Sequence, residues 1–315
     1  MRDTILFGDC RKTLGTLHAQ ITTGIAEQPR MCVTSPPYYG LRDYGGEENQ
    51  IGMEQSPEEY VEEMVKVFRK VRDCLADDGT LWLNIGDSYY NYRSDGNYPQ
   101  QSVSKTRQDL PQSTPVRGNK LEGLKSKDLI GIPWMLAFAL RADGWYLRQD
   151  IIWNKPNPMP ESVKDRCTKS HEYIFLMSKS KNYYYDNEAI KEPAKDWGTR
   201  DRSKGKYHNP GTGLQPHSGL TKSYSKKNKR SVWTVNKKPY KGAHFATYPE
   251  ELIEPCILAG SEKGDIILDP FMGSGTTAVV AKKNSRSYYG CELHKEYASL
   301  QTDRIRTIPN KLPLY

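Results

Sequence analysis

Two short stretches carry residue types whose order could do chemistry, and the first is Thr34-Ser35-Pro36-Pro37-Tyr38. Prolines offer carbonyls but no N–H, and two in succession end a strand rigidly, so the turn can aim an acceptor into a crevice. The Ser35 hydroxyl adds a second acceptor and Tyr38 a flat surface. Two acceptors and a flat surface suit a planar base with an exocyclic amino group. Accepting both amino hydrogens would weaken conjugation of the nitrogen lone pair with the ring and ready it to attack an electrophilic methyl group. Such a base must first leave the helix stack, with Tyr38 then stacking on it. Gly40 gives the chain room to turn away.

The second stretch is Asp269-Pro270-Phe271-Met272-Gly273-Ser274-Gly275-Thr276-Thr277, directly after an apolar run and directly before a helical one. Gly273 and Gly275 let the backbone turn tightly against a ligand, and the helix start offers unpaired N–H groups. The spacing of a Walker loop is absent. G-x-G-x-x-A does fit, and Glu292 lies 17 residues beyond Gly275, near the distance at which an acidic side chain meets ribose hydroxyls. The ligand therefore contains a ribose. Nicotinamide, flavin and S-adenosylmethionine enzymes share this pattern, but a proline inside the turn and a position near the C-terminus speak against a dinucleotide fingerprint.

These residues need strands to end where they stand. Apolar runs at 4–8, 30–34, 80–87, 146–155 and 171–180, and those ending at Asp269 and Glu292, read as strands. Helices are expected from after Asp9 to about Leu17, from Ser56 to Gly79, within 129–144, over 247–260, after Gly275 and after Glu292. Ser56 as N-cap, Pro57 at the first helical position and Glu59 three past the cap mark the second of these. Strands alternating with helices predict an α/β fold with a largely parallel sheet covered on both faces. Residues 90–128 are polar and aperiodic and read as a long loop.

Composition narrows the partners. The 315 residues carry 36% hydrophobic and 27% charged residues, with no apolar run of bilayer length and no signal peptide, so a cytoplasmic protein is expected. Six scattered cysteines without a C-x-x-C pair suggest reduced, mostly buried thiols and no metal site. The net charge is +8, yet residues 187–241 alone hold 14 Lys or Arg against 4 Asp or Glu. This segment also carries Trp197, Tyr207, Tyr224, Trp233 and Tyr240, as a nucleic-acid surface would; a solvated linker is the alternative.

TSPPY together with DPFMGSGTT resembles the amino-group DNA methyltransferases, the N4-cytosine and N6-adenine enzymes. Catalytic motif first, basic segment next and cofactor loop last resembles their circularly permuted β group. The resemblance implies a Rossmann-like sheet that binds S-adenosyl-L-methionine and acts on a flipped base in double-stranded DNA. Ser35, Pro36, Pro37 and Tyr38 would then be catalytic. Asp9 would lie beside the adenine, and Asp269, Phe271, Gly273 and Gly275 would form the loop at the methionine and ribose. Glu292 would hold the ribose hydroxyls, and Phe245 belongs to HFATYPEEL, which resembles a segment closing over the cofactor. WNKPNPMPESVKDRCTKSHEYIF resembles the stretch supporting the target-base pocket.

By the same resemblance, residues 1–186 and 244–315 form one methyltransferase domain and 187–243 the target-recognition segment. Lys226, Lys227, Lys229, Arg230, Lys237 and Lys238 are its candidate DNA contacts. A serine opening the motif accompanies N4-cytosine methylation more often than N6-adenine methylation, so cytosine is favoured. A restriction endonuclease acting on the same site would be a natural partner. A nucleotide-dependent oxidoreductase would leave TSPPY and the basic segment unexplained, and a non-catalytic DNA-binding protein would not need both motifs. Pro255-Cys256 resembles the nucleophilic pair of cytosine-C5 enzymes, but its apolar helical setting marks Cys256 as core.

Overall fold

The computed structural model describes residues 1–41, 50–90, 121, 123–194, 225–237 and 248–308. The chain opens with β1 (Thr4–Phe7) and α1 (Cys10–Thr22), then β2 (Met31–Thr34), α2 (Pro57–Cys74), β3 (Thr80–Ile85) and α3 (Ile132–Ala142). β4 (Tyr146–Asn154), β5 (His171–Ser178), β6 (Glu192–Pro193), β7 (Lys226–Lys227) and β8 (Val232–Thr234) follow. α4 (Glu250–Gly260), β9 (Ile266–Asp269), α5 (Thr276–Lys283), β10 (Ser287–Glu292) and α6 (Ala298–Arg306) complete it.

Eight strands form one sheet in the order β1-β10-β9-β2-β3-β5-β4-β8, and β6 pairs with β7 outside it. β1, β10, β9, β2 and β3 run parallel; β5 alone opposes its neighbours, because β4 and β5 form a hairpin with no helix between them. β8, drawn from the basic segment, pairs in parallel with β4 and makes it the second-last strand. α1, α2 and α3 cover one face through Leu14, Leu17, Phe68 and Leu136, and α4 and α5 cover the other through Leu252, Ile257 and Val280. Strand side chains alternate accordingly: Leu81 and Leu83 face the first layer and Trp82 the second. Both faces are thus covered, as the alternation of elements predicts.

Local chemistry explains the element that frames the first motif. The Ser56 hydroxyl accepts from Glu59 N–H at 3.1 Å and Pro57 occupies the first turn of α2. The helix ends at Cys74, short of Gly79, whereas α1 runs on to Thr22, past the expected Leu17. Residues 91–120 and 122 of the predicted long loop lie outside the described residues. Its base is closed by Tyr90 N–H on Asp128 O and Lys127 N–H on Tyr90 O, both 2.8 Å.

Candidate active site

β2 and β9 are neighbours in the sheet although their ends are 235 residues apart in sequence. Both run the same way, so the turn after β2 and the glycine loop after β9 emerge side by side at the carboxyl edge, where α/β sheets bind ligands. One carboxylate joins them. Asp269 Oδ1 accepts from the Thr34 hydroxyl at 2.6 Å and from Phe271 N–H at 3.0 Å. Asp269 Oδ2 accepts from the Tyr248 hydroxyl at 3.1 Å and from the Thr277 hydroxyl. Burial pushes this carboxyl up, while the same four donors hold it down. Asp269 is 1% exposed and all four bonds go to the protein. Its visible work is to tie the Ser35–Tyr38 turn to the glycine loop.

In that loop Gly273 and Gly275 adopt φ of 52° and 84°, a left-handed region that side-chain-bearing residues avoid. Gly273 N–H donates to Glu292 Oε2 at 2.7 Å and His294 N–H to Glu292 Oε1 at 2.9 Å. A carboxylate has about four acceptor sites, so each oxygen keeps capacity for a further donor. Burial raises the Glu292 carboxyl above its ordinary value against these two bonds. Asp9 stands two residues past β1, the neighbouring strand, with Gly8 N–H bonded to Glu292 O at 2.8 Å. Its carboxylate caps α1 on Arg11 N–H at 2.9 Å; burial opposes ionisation, but the Arg11 bonds prevail and hold the carboxyl low. Tight glycines, a helix start and two carboxylates on adjacent strand ends fit a nucleoside bearing a chain at its ribose. Phe271 is partly buried beside them, and Phe245 lies outside the described residues.

At the Ser35–Tyr38 turn, α2 delivers Tyr60, whose hydroxyl donates to Pro37 O at 2.9 Å. Among the described residues no donor is bound to the Pro36 carbonyl, so it is available as an acceptor in the turn. Gly40 has φ 61° and turns the chain away. The Tyr38 ring lies against the backbone of Gly86, where an added Cβ would come within 2.7 Å of Tyr38 Cε2. The Tyr38 hydroxyl donates to Glu172 Oε2 at 2.7 Å and lies 3.5 Å from Ser35 Oγ. Burial and the Glu172 charge hold this phenol well above its ordinary value, so it stays a donor.

Glu172, at the start of β5, lies in the stretch WNKPNPMPESVKDRCTKSHEYIF, which gives it no role of its own in the sequence. Its Oε1 pairs with Lys155, just beyond β4, and Asn84 Nδ2 of β3 donates to its Oε2 at 3.3 Å. Lys155 is 8% exposed, and its ammonium lies 4.2 Å from the Trp153 ring centroid. Burial pulls the Lys155 ammonium below its ordinary value, with Glu172 opposing. Two charged residues facing inward from strands are the available sequence signal, since buried charges occur where they are paired.

The described cations of the basic segment gather at the far edge of the sheet. Glu192 lies 4.0 Å from Lys227, 3.9 Å from Lys229 and 3.2 Å from Arg230, while Lys226 pairs in β7 beside it. Lys237 N–H bonds Asn157 Oδ1 at 2.9 Å, tying the segment to the loop after β4. Lys238 lies outside the described residues. Cys256 is fully buried in α4, and burial pushes its thiol up.

A DNA methylase family model, that of the N6 and N4 methylases, matches residues 30–303. Type II methyltransferase M.SmaI of Serratia marcescens is 48% identical over 301 residues, 96% of this chain and 90% of the relative. Type II methyltransferase M.Cfr9I of Citrobacter freundii is 49% identical over 277 residues, 88% and 81% of the two chains. Among solved structures, PvuII DNA methyltransferase (cytosine-N4-specific) superposes with a TM-score of 0.61 at 16% identity, covering 99% of this chain and 88% of its own. The M1.HpyAVI complex with S-adenosylmethionine superposes at 0.54 and 17% identity, covering 96% and 98%. With its strand-end turn and glycine loop side by side on one sheet, the chain belongs to the N6/N4 family of DNA methylases.

Proposed function

We propose that the chain methylates the N4 amino group of a cytosine at a specific site in double-stranded DNA, using S-adenosyl-L-methionine. The observation that carries this reading is the Thr34–Asp269 bond, which sets a turn rich in acceptors against a nucleoside-shaped loop. The cofactor supplies a methyl group on a positively charged sulfur. Glu292, whose Oε2 takes the Gly273 N–H, would accept from the cofactor's ribose hydroxyls, Asp9 would border the adenine, and Phe271, Gly273 and Gly275 would shape the floor. Across the crevice, the Pro36 carbonyl and the Ser35 hydroxyl accept from the two amino hydrogens of an extruded base, and Tyr38 stacks on its ring. The nitrogen lone pair would thereby be freed to attack the methyl carbon as its bond to sulfur breaks, the neutral thioether S-adenosylhomocysteine leaving with the bonding pair, and the surplus proton would pass to water.

Ser35 and the cytosine-N4 specificity of the PvuII enzyme, a neighbour in fold, support cytosine over adenine. Lys226, Lys227, Lys229, Arg230 and Lys237, with Lys238, form the DNA-facing surface of the target-recognition segment. The Type II designation of the relatives supports a restriction endonuclease of the same specificity as partner. Incubation with S-adenosylmethionine and unmethylated genomic DNA, followed by nucleoside mass spectrometry, tests the reading. N4-methylcytosine is the expected product; N6-methyladenine would overturn the base assignment, and absence of both would overturn the activity.

A further inference from the structure

The Ser35 hydroxyl can donate as well as accept, and only an accepting serine helps an amino nitrogen attack. Something must therefore fix where its hydrogen points. We propose that Glu172 is a positioning residue that sets the direction of a hydrogen-bond chain running from Ser35 through Tyr38. This inference rests on the proposed role of the Ser35 turn and concerns what makes that turn work.

The direction follows from donor and acceptor counts. A carboxylate paired with an ammonium can only accept, and Glu172 terminates the chain with Lys155 on Oε1 and Tyr38 on Oε2, the latter at 2.7 Å. Asn84 cannot compete as a donor to Tyr38. Its two amide hydrogens go to Glu172 Oε2 at 3.3 Å and Tyr173 O at 3.0 Å, which leaves only its Oδ1, 3.5 Å from the phenol. The single phenol hydrogen is therefore committed to Glu172. The phenol oxygen is left as an acceptor, and the nearest hydroxyl able to fill it is Ser35 Oγ at 3.5 Å. With the Ser35 hydrogen drawn toward Tyr38, both Ser35 lone pairs are available to the target amino group. The same bond fixes the tilt of the Tyr38 ring, already pressed against Gly86.

Lys155 is part of the device. It comes from the far end of β4, with its N–H on Ser170 O at 2.8 Å closing the β4–β5 hairpin. Four strand ends thus meet at one carboxylate: Glu172 of β5 receives Tyr38 from the turn after β2, Asn84 of β3 and Lys155 from just beyond β4.

The test is a double-mutant cycle of Tyr38→Phe and Glu172→Gln in the full chain, read by kcat for methyl transfer, by KM for S-adenosylmethionine and by thermal melting. Phenylalanine keeps the stacking ring and leaves the Glu172–Lys155 pair intact, so Tyr38→Phe stays interpretable even if Glu172→Gln folds poorly. Each single change is expected to lower kcat by about tenfold with KM for the cofactor unchanged, and the double change is expected to lose no more than either single one. A Tyr38→Phe enzyme with full kcat overturns the proposal, as do losses that multiply in the double variant. A wild-type chain that moves no methyl group to DNA would instead overturn the underlying reading.

Discussion

At the scale of single residues, the cofactor side of the crevice turns on the charge of Glu292. Its carboxylate accepts two backbone N–H groups and, in the proposed complex, two ribose hydroxyls. Protonation removes acceptor capacity, so in the proposed complex the group would bind the ribose in its charged form. Burial raises its pKa above the ordinary carboxylate value, so cofactor affinity should weaken on acidification. Calorimetry over a descending pH series is expected to show the loss at the acid end. Glu292→Gln should weaken binding by about tenfold at neutral pH, in line with a charged hydrogen bond of about 1.5–3 kcal/mol, and flatten the profile. An unchanged profile in the variant would remove Glu292 from the ribose site. The Gly273, Gly275 and Glu292 set is readable from spacing alone, because a tight loop and the next strand end are close in sequence. Glu172 stands in the stretch likened to the base-pocket support, but its pairing with Tyr38, 134 residues away, comes only from the sheet order.

At the scale of elements, α2 holds the Ser35–Tyr38 turn from behind through the Tyr60–Pro37 bond. Its start is fixed by Ser56, and Ser56→Ala should cost about 1 kcal/mol of stability, visible as a lower denaturation midpoint. Methyl transfer under native conditions should stay unchanged, since Tyr60 lies a turn inside the helix; a comparable loss of kcat would mean that the cap tunes the turn itself. The caps of α2 stand in the sequence as side chains with one evident job, so its start is legible. Its end is less so: Gly79 marks a turn beyond Leu75 rather than the last helical residue. α1 outruns its apolar pattern because His18, Ala19 and Gln20 pack little and still suit a helix. The reversal of β5 follows from a helix-free connection between β4 and β5, a feature of the chain's spacing that a simple alternation of strands and helices overlooks.

At the scale of the whole molecule, the fold inserts the last two strands, β9 and β10, between β1 and β2. Motifs that stand at opposite ends of the chain thereby become neighbours, and Asp269 joins them. The order of motifs foretells this arrangement, whereas nothing in the spacing of Thr34, Tyr248 and Thr277, each inside a motif, shows that their hydroxyls share the Asp269 carboxylate. A crevice built from two loops makes a separable prediction: one loop holds the cofactor and the other performs transfer. The most direct measurement compares wild type with Tyr38→Ala for S-adenosylmethionine affinity by calorimetry and for methyl incorporation into DNA on the same preparations. The account predicts an affinity within about twofold of wild type and a transfer rate lower by about 100-fold, the upper end of what one base–aromatic stack contributes. Cofactor binding and transfer lost together, or transfer retained, would contradict it.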